Sequence, residues 1–191
     1  MTPLILASTS VYRKKLLQRL RVPFTTEAPD VDETIFQSLG LPPQELAETL
    51  ALKKAKAVSL KHPEATVIGS DQVVCLDGKI FGKPLTKQRA IEQLTLLNGK
   101  THELITAVAV VGKFERIVTE TTRLTLAHHE PAAILRYVEA DQPLDCAGSY
   151  KIESLGISLF ESIECTDQSA IEGLPLLHLT RVLREFGWVI P

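Results

Sequence analysis

The chain has 191 residues, 45% of them apolar and 23% charged, which suits one compact folding unit and excludes an extensively disordered or fibrous protein. With 21 basic against 23 acidic side chains it carries no global positive field that could hold a nucleic-acid polymer or an anionic membrane. Any polyanion it binds must therefore be small and met by a local cluster of charge.

The first element is a short apolar strand, Leu4 to Ala7, followed by the hydroxyl-rich loop Ser8-Thr9-Ser10 and a helix at Tyr12–Leu20. Asp30, Asp32 and Glu33 follow Pro29 in a loop, where Asp30 and Asp32 read most simply as turn and cap residues. Pro42-Pro43 opens a long helix, Gln44 to Lys61, whose alanines give it a small-residue packing face. Ala65 to Ser70 reads as a buried strand that ends at Asp71-Gln72, and Asp77-Gly78 between two β-prone runs signals a hairpin. Thr86 can cap a helix that reaches about Leu97, and the segments 103–111 and 116–127 pair across a turn. Helix Pro131–Ala140, strands Ser149–Glu153 and Ser158–Glu164, and helix Pro175–Phe186 complete the chain. Hairpins mixed with helix-separated strands predict an α/β fold with a mixed β-sheet and flanking helices, a single domain over residues 1–191.

Compartment and familiar motifs narrow the field. Cys75, Cys146 and Cys165 lie too far apart for a Cys-x-x-Cys site, and no apolar stretch is long enough for a bilayer, which predicts a cytoplasmic protein with no membrane partner. Gly78 to Pro84 has glycines one residue too close for a P-loop, with Pro84 where a magnesium-binding hydroxyl belongs. His102-Glu103 lacks the second histidine of a zinc protease, and His178 among Leu176, Leu177 and Leu179 reads as a packed histidine.

Three groups of charge remain. Ser8, Ser10, Tyr12 and Arg13 stand at a strand-to-helix junction, where unpaired N–H groups, hydroxyls and a guanidinium together could bind an anion. Taken alone, the same segment is also an ordinary hydroxyl cap before a basic helix face. Asp30, Asp32, Glu33 and Asp71 offer carboxylates for a hard divalent ion, and one of them could orient or deprotonate water. Lys54 and Lys83 could neutralise a phosphate chain, although a solvated surface would also tolerate them.

Taken in order, these residues fall within a longer series: Leu6-Ala-Ser-Thr-Ser10 with Arg13, Val31-Asp-Glu33, Leu50-Ala-Leu-Lys-Lys54-Ala-Lys-Ala57, Gly69-Ser-Asp71, Gly82-Lys-Pro84, Ala147-Gly-Ser-Tyr-Lys-Ile-Glu153 and Gly173-Leu-Pro175. Over nearly the whole chain that series resembles the successive motifs of the Maf nucleotide pyrophosphatases. The resemblance implies a Maf-like domain with a cleft for nucleotide, and a metal-dependent hydrolase that cuts a nucleoside triphosphate between its α and β phosphorus atoms. It makes Asp71 the proton acceptor that activates water, sets Ser8, Ser10, Arg13, Lys54 and Lys83 around the phosphates, and gives Glu33 with Asp71 to a divalent cation, Mg²⁺ or Mn²⁺.

Departures from the common pattern bear on the substrate. Val11 and Tyr12 replace the proline and first arginine of the usual family run, and Gln72 and Glu153 stand where dTTP- and UTP-cleaving members carry Thr and Gln. Tyr12, Gln72 and Glu153 are similar to the residues of the 7-methyl-GTP subgroup, which implies hydrolysis of 7-methyl-GTP to 7-methyl-GMP and pyrophosphate. A cationic methylated guanine could stack on Tyr12, and Glu153 could accept from its N–H edge. The alternatives are a dTTP/UTP pyrophosphatase and a nucleotide-binding regulator of cell division. The expected partner is a small nucleotide, with a homodimer left open.

Overall fold

The computed structural model describes residues 2–190. In chain order the elements are β1 (Leu4–Ala7), α1 (Val11–Gln18), β2 (Thr25–Glu27), α2 (Glu33–Gln37), α3 (Pro43–Ser59), β3 (Thr66–Leu76), β4 (Lys79–Phe81), α4 (Lys87–Leu97), β5 (Thr101–Val111), β6 (Glu115–Leu126), α5 (Pro131–Asp141), β7 (Phe160–Glu164) and α6 (Leu176–Glu185). Short 3-10 turns occupy Ala147–Ser149, Leu155–Leu159 and Gln168–Ala170. The sheet is mixed, as expected: β1 runs parallel to β2 and β3, whereas β4 and β7 run antiparallel to β3 and β6. Its order is β2-β1-β3-β5-β6-β7, with β4 paired to β3.

The chain divides into two compact units, and β3, β5 and β6 each contribute residues to both. The first unit comprises the residues up to Gln72, Thr106–Glu120 and those from Asp167 on. Its core gathers Leu4 and Leu6 of β1, Leu16 and Leu17 of α1, Ile68 of β3, Val108 and Val110 of β5, and Leu179 and Leu183 of α6. Burial of these aliphatic side chains supplies the main driving force for folding. Against β3, α3 packs at unusually close range. A Cβ on Gly69 would fall on the Ala51 carbonyl oxygen and lie 2.6 Å from the Ala55 nitrogen, so only glycine lets helix and strand approach.

The second unit comprises Val73–Ile105 and Thr121–Thr166. Its hairpin turns at Asp77 and Gly78, whose φ values of 50° and 81° are the two left-handed positions of a type I′ turn. Helices α4 and α5 pack on each other, and the Ala147–Ser149 turn packs on α4. Tyr150 is buried, its hydroxyl 3.0 Å from Nε2 of the buried His102.

Several expectations are corrected. Strand β3 does not end at Asp71-Gln72 but continues to Leu76; its register with β1 covers Thr66–Ile68 and that with β4 covers Val74–Leu76. Ser149–Glu153 is not a strand, because positive φ at Gly148 (76°) and Ser149 (64°) turns the backbone. His178 is partly buried on α6, and its Nε2 meets Glu120 Oε2 at 2.9 Å. No helix among the described residues is long and apolar enough to cross a membrane.

Candidate active site

In the first unit the charged residues meet at one buried cation. Lys54 projects from the turn of α3 that Gly69 admits close to β3, and its Nζ lies 2.6 Å from Asp71 Oδ1 and 2.7 Å from Glu33 Oε1. Lys54 and Asp71 are each only 6% exposed. Glu33 arrives on the short helix α2, which Asp32 caps through the Thr34 N–H at 3.0 Å, and which rests on α3 with the Phe36 ring under Lys53. Of the acidic loop residues, Glu33 alone joins Asp71 on Lys54. Asp30 pairs with Lys61 at 3.3 Å, and Asp32 serves as a cap.

Burial raises the Asp71 carboxyl above the ordinary aspartate value, and the Glu33 charge adds to that shift; Lys54 and Arg13 oppose it. A carboxylate raised in this way is a better proton acceptor than one in water. Arg13 feels both Asp71 and Glu33, and burial pulls its guanidinium below the ordinary value against their attraction. Its Nε donates to the Gly173 carbonyl at 2.9 Å, which fixes the plane of the fork.

The strand-to-helix junction is built as a cap. Ser8 Oγ accepts from the Ser10 N–H at 3.1 Å, and Ser10 Oγ accepts from the Arg13 N–H at 3.4 Å to start α1. Tyr12 is partly buried on the same turn of α1. These residues follow the C-terminal end of a parallel strand, the usual ligand edge of an α/β sheet.

Residues 167–175 form a loop that composition did not single out. Asp167, 2% exposed, accepts from the Ser169 N–H and hydroxyl and from the Leu177 N–H, so it caps both the 3-10 turn and α6. Ser70 Oγ lies 2.8 Å from Gly173 O and 2.9 Å from Ala107 O. Gln72 turns its amide nitrogen toward Ala170 O (2.9 Å), Ile171 O (3.1 Å) and Thr106 Oγ1 (2.9 Å). No sequence signal marks Thr106, since its role rests on a tertiary contact.

Lys83 and Glu153 belong to the second unit and are exposed. Their two motifs are joined there by Gln93 of α4, which donates to Gly82 O at 3.0 Å and accepts from Ser149 Oγ at 2.6 Å. Lys151 reaches the Asp141 carbonyl at 3.2 Å, and its own N–H donates to Tyr137 Oη at 2.9 Å, which anchors the backbone two residues before Glu153.

The donor set suits a hard cation. Glu33 and Asp71 already share one positive partner through oxygens, and Mg²⁺ is commonly held by one or two carboxylates with water and substrate phosphates completing its shell. Among the described residues no group of three or more His, Cys, Asp or Glu side chains is placed to hold a metal.

A buried lysine bridging two carboxylates, with a partly buried arginine in their electrostatic field, thus stands near the end of a parallel β-α unit. The chain belongs to the Maf-like protein family, whose model matches residues 3–186. It is 51% identical to the 7-methyl-GTP pyrophosphatase of Bdellovibrio bacteriovorus, over 94% of this chain and 95% of that protein. It is 48% identical to the 7-methyl-GTP pyrophosphatase of Xanthomonas oryzae pv. oryzae over the full length of both. The Ham1 protein of Staphylococcus aureus has a similar fold, with a TM-score of 0.55 and 15% identity over 97% of this chain and all of that one.

Proposed function

We propose that the chain is a nucleoside triphosphate pyrophosphatase that hydrolyses 7-methyl-GTP to 7-methyl-GMP and pyrophosphate, with residues 1–191 acting as one functional domain. The observation that carries the reading is the Lys54 ammonium held between Asp71 and Glu33, with Arg13 in the electrostatic field of both carboxylates. Full-length relatives of that name support the choice of substrate.

Asp71 takes a proton from water, whose oxygen bonds to the α-phosphorus. The bond from that phosphorus to the bridging oxygen breaks, and pyrophosphate leaves with the bond's electrons. The raised proton affinity of Asp71 suits the first step. Arg13, Lys54 and Lys83 counter the charge of the phosphate chain, and charge-assisted hydrogen bonds of this type are about twice as strong as neutral ones. Ser8 and Ser10 line the turn that presents Arg13. Glu33 and Asp71 would hold Mg²⁺ or Mn²⁺, which would supply further charge neutralisation at the phosphates. Lys54 keeps the two carboxylates together until that ion and the substrate arrive.

Base selection falls to Tyr12, Gln72 and Glu153. The Tyr12 ring can attract a cationic methylated guanine by about 0.5–2 kcal/mol. Glu153 can accept from guanine N–H groups and would meet the carbonyl oxygens of uracil and thymine poorly.

A nucleotide panel with product identification tests the reading. The expected result is highest kcat/KM for 7-methyl-GTP with pyrophosphate released. A preference of about tenfold or more for UTP or dTTP would move the chain to the other subgroup. Nucleotide binding with no turnover would favour a regulator, and release of orthophosphate would reject the pyrophosphatase.

A further inference from the structure

We infer that Thr106 is a specificity-determining positioning residue, which locks the Gln72 amide so that its oxygen, and not its nitrogen, meets the base. The inference rests on the proposed function and deepens it. Every residue of β3 is buried except Gln72, which is partly exposed and stands one place after Asp71. An amide can turn either end outward, and the choice decides what it reads. With its nitrogen outward it donates to carbonyl oxygens, which guanine, uracil and thymine all carry. With its oxygen outward it accepts from N–H groups, which guanine carries on both its ring and its amino group and uracil only between two carbonyls.

Here the nitrogen is spent on the protein. Gln72 Nε2 donates to Ala170 O at 2.9 Å and to Ile171 O at 3.1 Å, and only the nitrogen end of an amide can do so. Thr106 Oγ1 accepts from the same nitrogen at 2.9 Å and donates to Ala170 O at 2.9 Å, so the two side chains close a small ring on one carbonyl. These acceptors exhaust the amide protons. Oε1 accepts from no group among the described residues, where the buried side-chain polar atoms left without a partner are His102 Nδ1 and Thr122 Oγ1; Oε1 therefore lies in the open. Turning the amide over would set that oxygen against two carbonyl oxygens and leave both without a donor from Gln72. The loop that supplies those carbonyls is itself held, by Asp167 on the Leu177 N–H at 2.6 Å and by Ser70 Oγ on Gly173 O at 2.8 Å. Thr106 is 1% exposed, so it acts on a nucleotide only through these neighbours.

The test is kcat/KM for 7-methyl-GTP, GTP and UTP, with calorimetric binding of inorganic tripolyphosphate at fixed Mg²⁺ as the control that has no base. Thr106→Val, which keeps the side-chain volume, is expected to lower the preference for both guanine nucleotides over UTP by about threefold, and Gln72→Met by about tenfold. Thr106→Ser, which keeps the hydroxyl, should retain the wild-type preference. The ratio of 7-methyl-GTP to GTP and the affinity for tripolyphosphate should stay constant throughout, because the methyl group falls to Tyr12 and tripolyphosphate carries nothing for Gln72 to read. In a Gln72→Met background Thr106→Val should add nothing to the loss of preference. A merely structural defect would instead lower all three nucleotides by one common factor.

An unchanged guanine-over-uracil preference in Thr106→Val or in Gln72→Met would overturn the lock, as would a Thr106→Val loss that adds in full to that of Gln72→Met. Thr106→Ala takes the place of Thr106→Val if the latter fails to fold. A wild type that cleaves 7-methyl-GTP while giving any of those results keeps the proposed activity and loses only the lock. A wild type that cleaves no nucleotide removes both.

Discussion

Lys54 and Lys83 are both proposed to meet the phosphates, yet the structure prepares them in opposite ways. Lys54 is buried and holds two carboxylates within 2.7 Å, whereas Lys83 is exposed on a loop whose carbonyl at Gly82 is held by Gln93. In the first unit, charge is desolvated and fixed before any ligand arrives. In the second, the backbone is fixed and the charged tips are left in water. The difference separates two uses of charge. Buried ions are costly to unpair, which suits chemistry, while exposed ones can be exchanged with little effect on folding, which suits recognition.

The largest effect expected from this contrast is at Asp71. Asp71→Asn removes the proton acceptor and should lower kcat for 7-methyl-GTP by about a thousandfold, measured as pyrophosphate release. In the wild type, activity should fall as pH drops through a value above the ordinary aspartate range, because burial raises that carboxyl.

The two lysines come next. Lys54→Met unpairs a buried carboxylate and should cost about 3 kcal/mol of stability, read from denaturant unfolding, as well as activity. Lys83→Ala should change stability by no more than about 0.5 kcal/mol while weakening kcat/KM by about tenfold or more. Equal stability losses would erase the distinction between the units.

A comparable effect belongs to the second unit and involves no site residue. Burial pushes His102 from 6.5 down to about 4, so between those values the unfolded chain binds a proton that the folded one refuses. Stability should be flat above that window and fall as pH drops through it, by up to roughly 3 kcal/mol. Unfolding measured across the range should lose this slope in His102→Phe. The smallest effect is at Glu153: Glu153→Gln should reduce the preference for 7-methyl-GTP over UTP by about tenfold with no change in unfolding midpoint.

Much of this architecture was legible in the residues. The apolar run Leu4–Ala7 with its hydroxyl cap, the Asp-Gly hairpin and the proline-opened helix α3 each carry a local signal strong enough to survive tertiary packing. Elements without periodicity were not legible. β2 has only three residues and α2 buries none, so neither offers an apolar pattern. Lys151-Ile152 looked β-prone, but the left-handed residues before it and the Lys151 contact with the end of α5 decide its path. Within the candidate site, residue types could be read from the chain, since Arg13, Glu33, Lys54 and Asp71 suit phosphate and metal chemistry. Their mutual distances could not. The ring of Gln72, Thr106 and Ala170 O was invisible because it joins β3, β5 and a late loop through contacts between residues 34 and 98 positions apart.

The central claim is that Asp71 drives water onto the α-phosphorus of a nucleoside triphosphate, and hydrolysis of 7-methyl-GTP in water enriched in heavy oxygen tests it most directly. Mass spectrometry of the products should find the heavy atom in 7-methyl-GMP and none in pyrophosphate, with the labelled product lost in Asp71→Asn. Heavy oxygen in the pyrophosphate, or undiminished labelling in Asp71→Asn, would contradict the account.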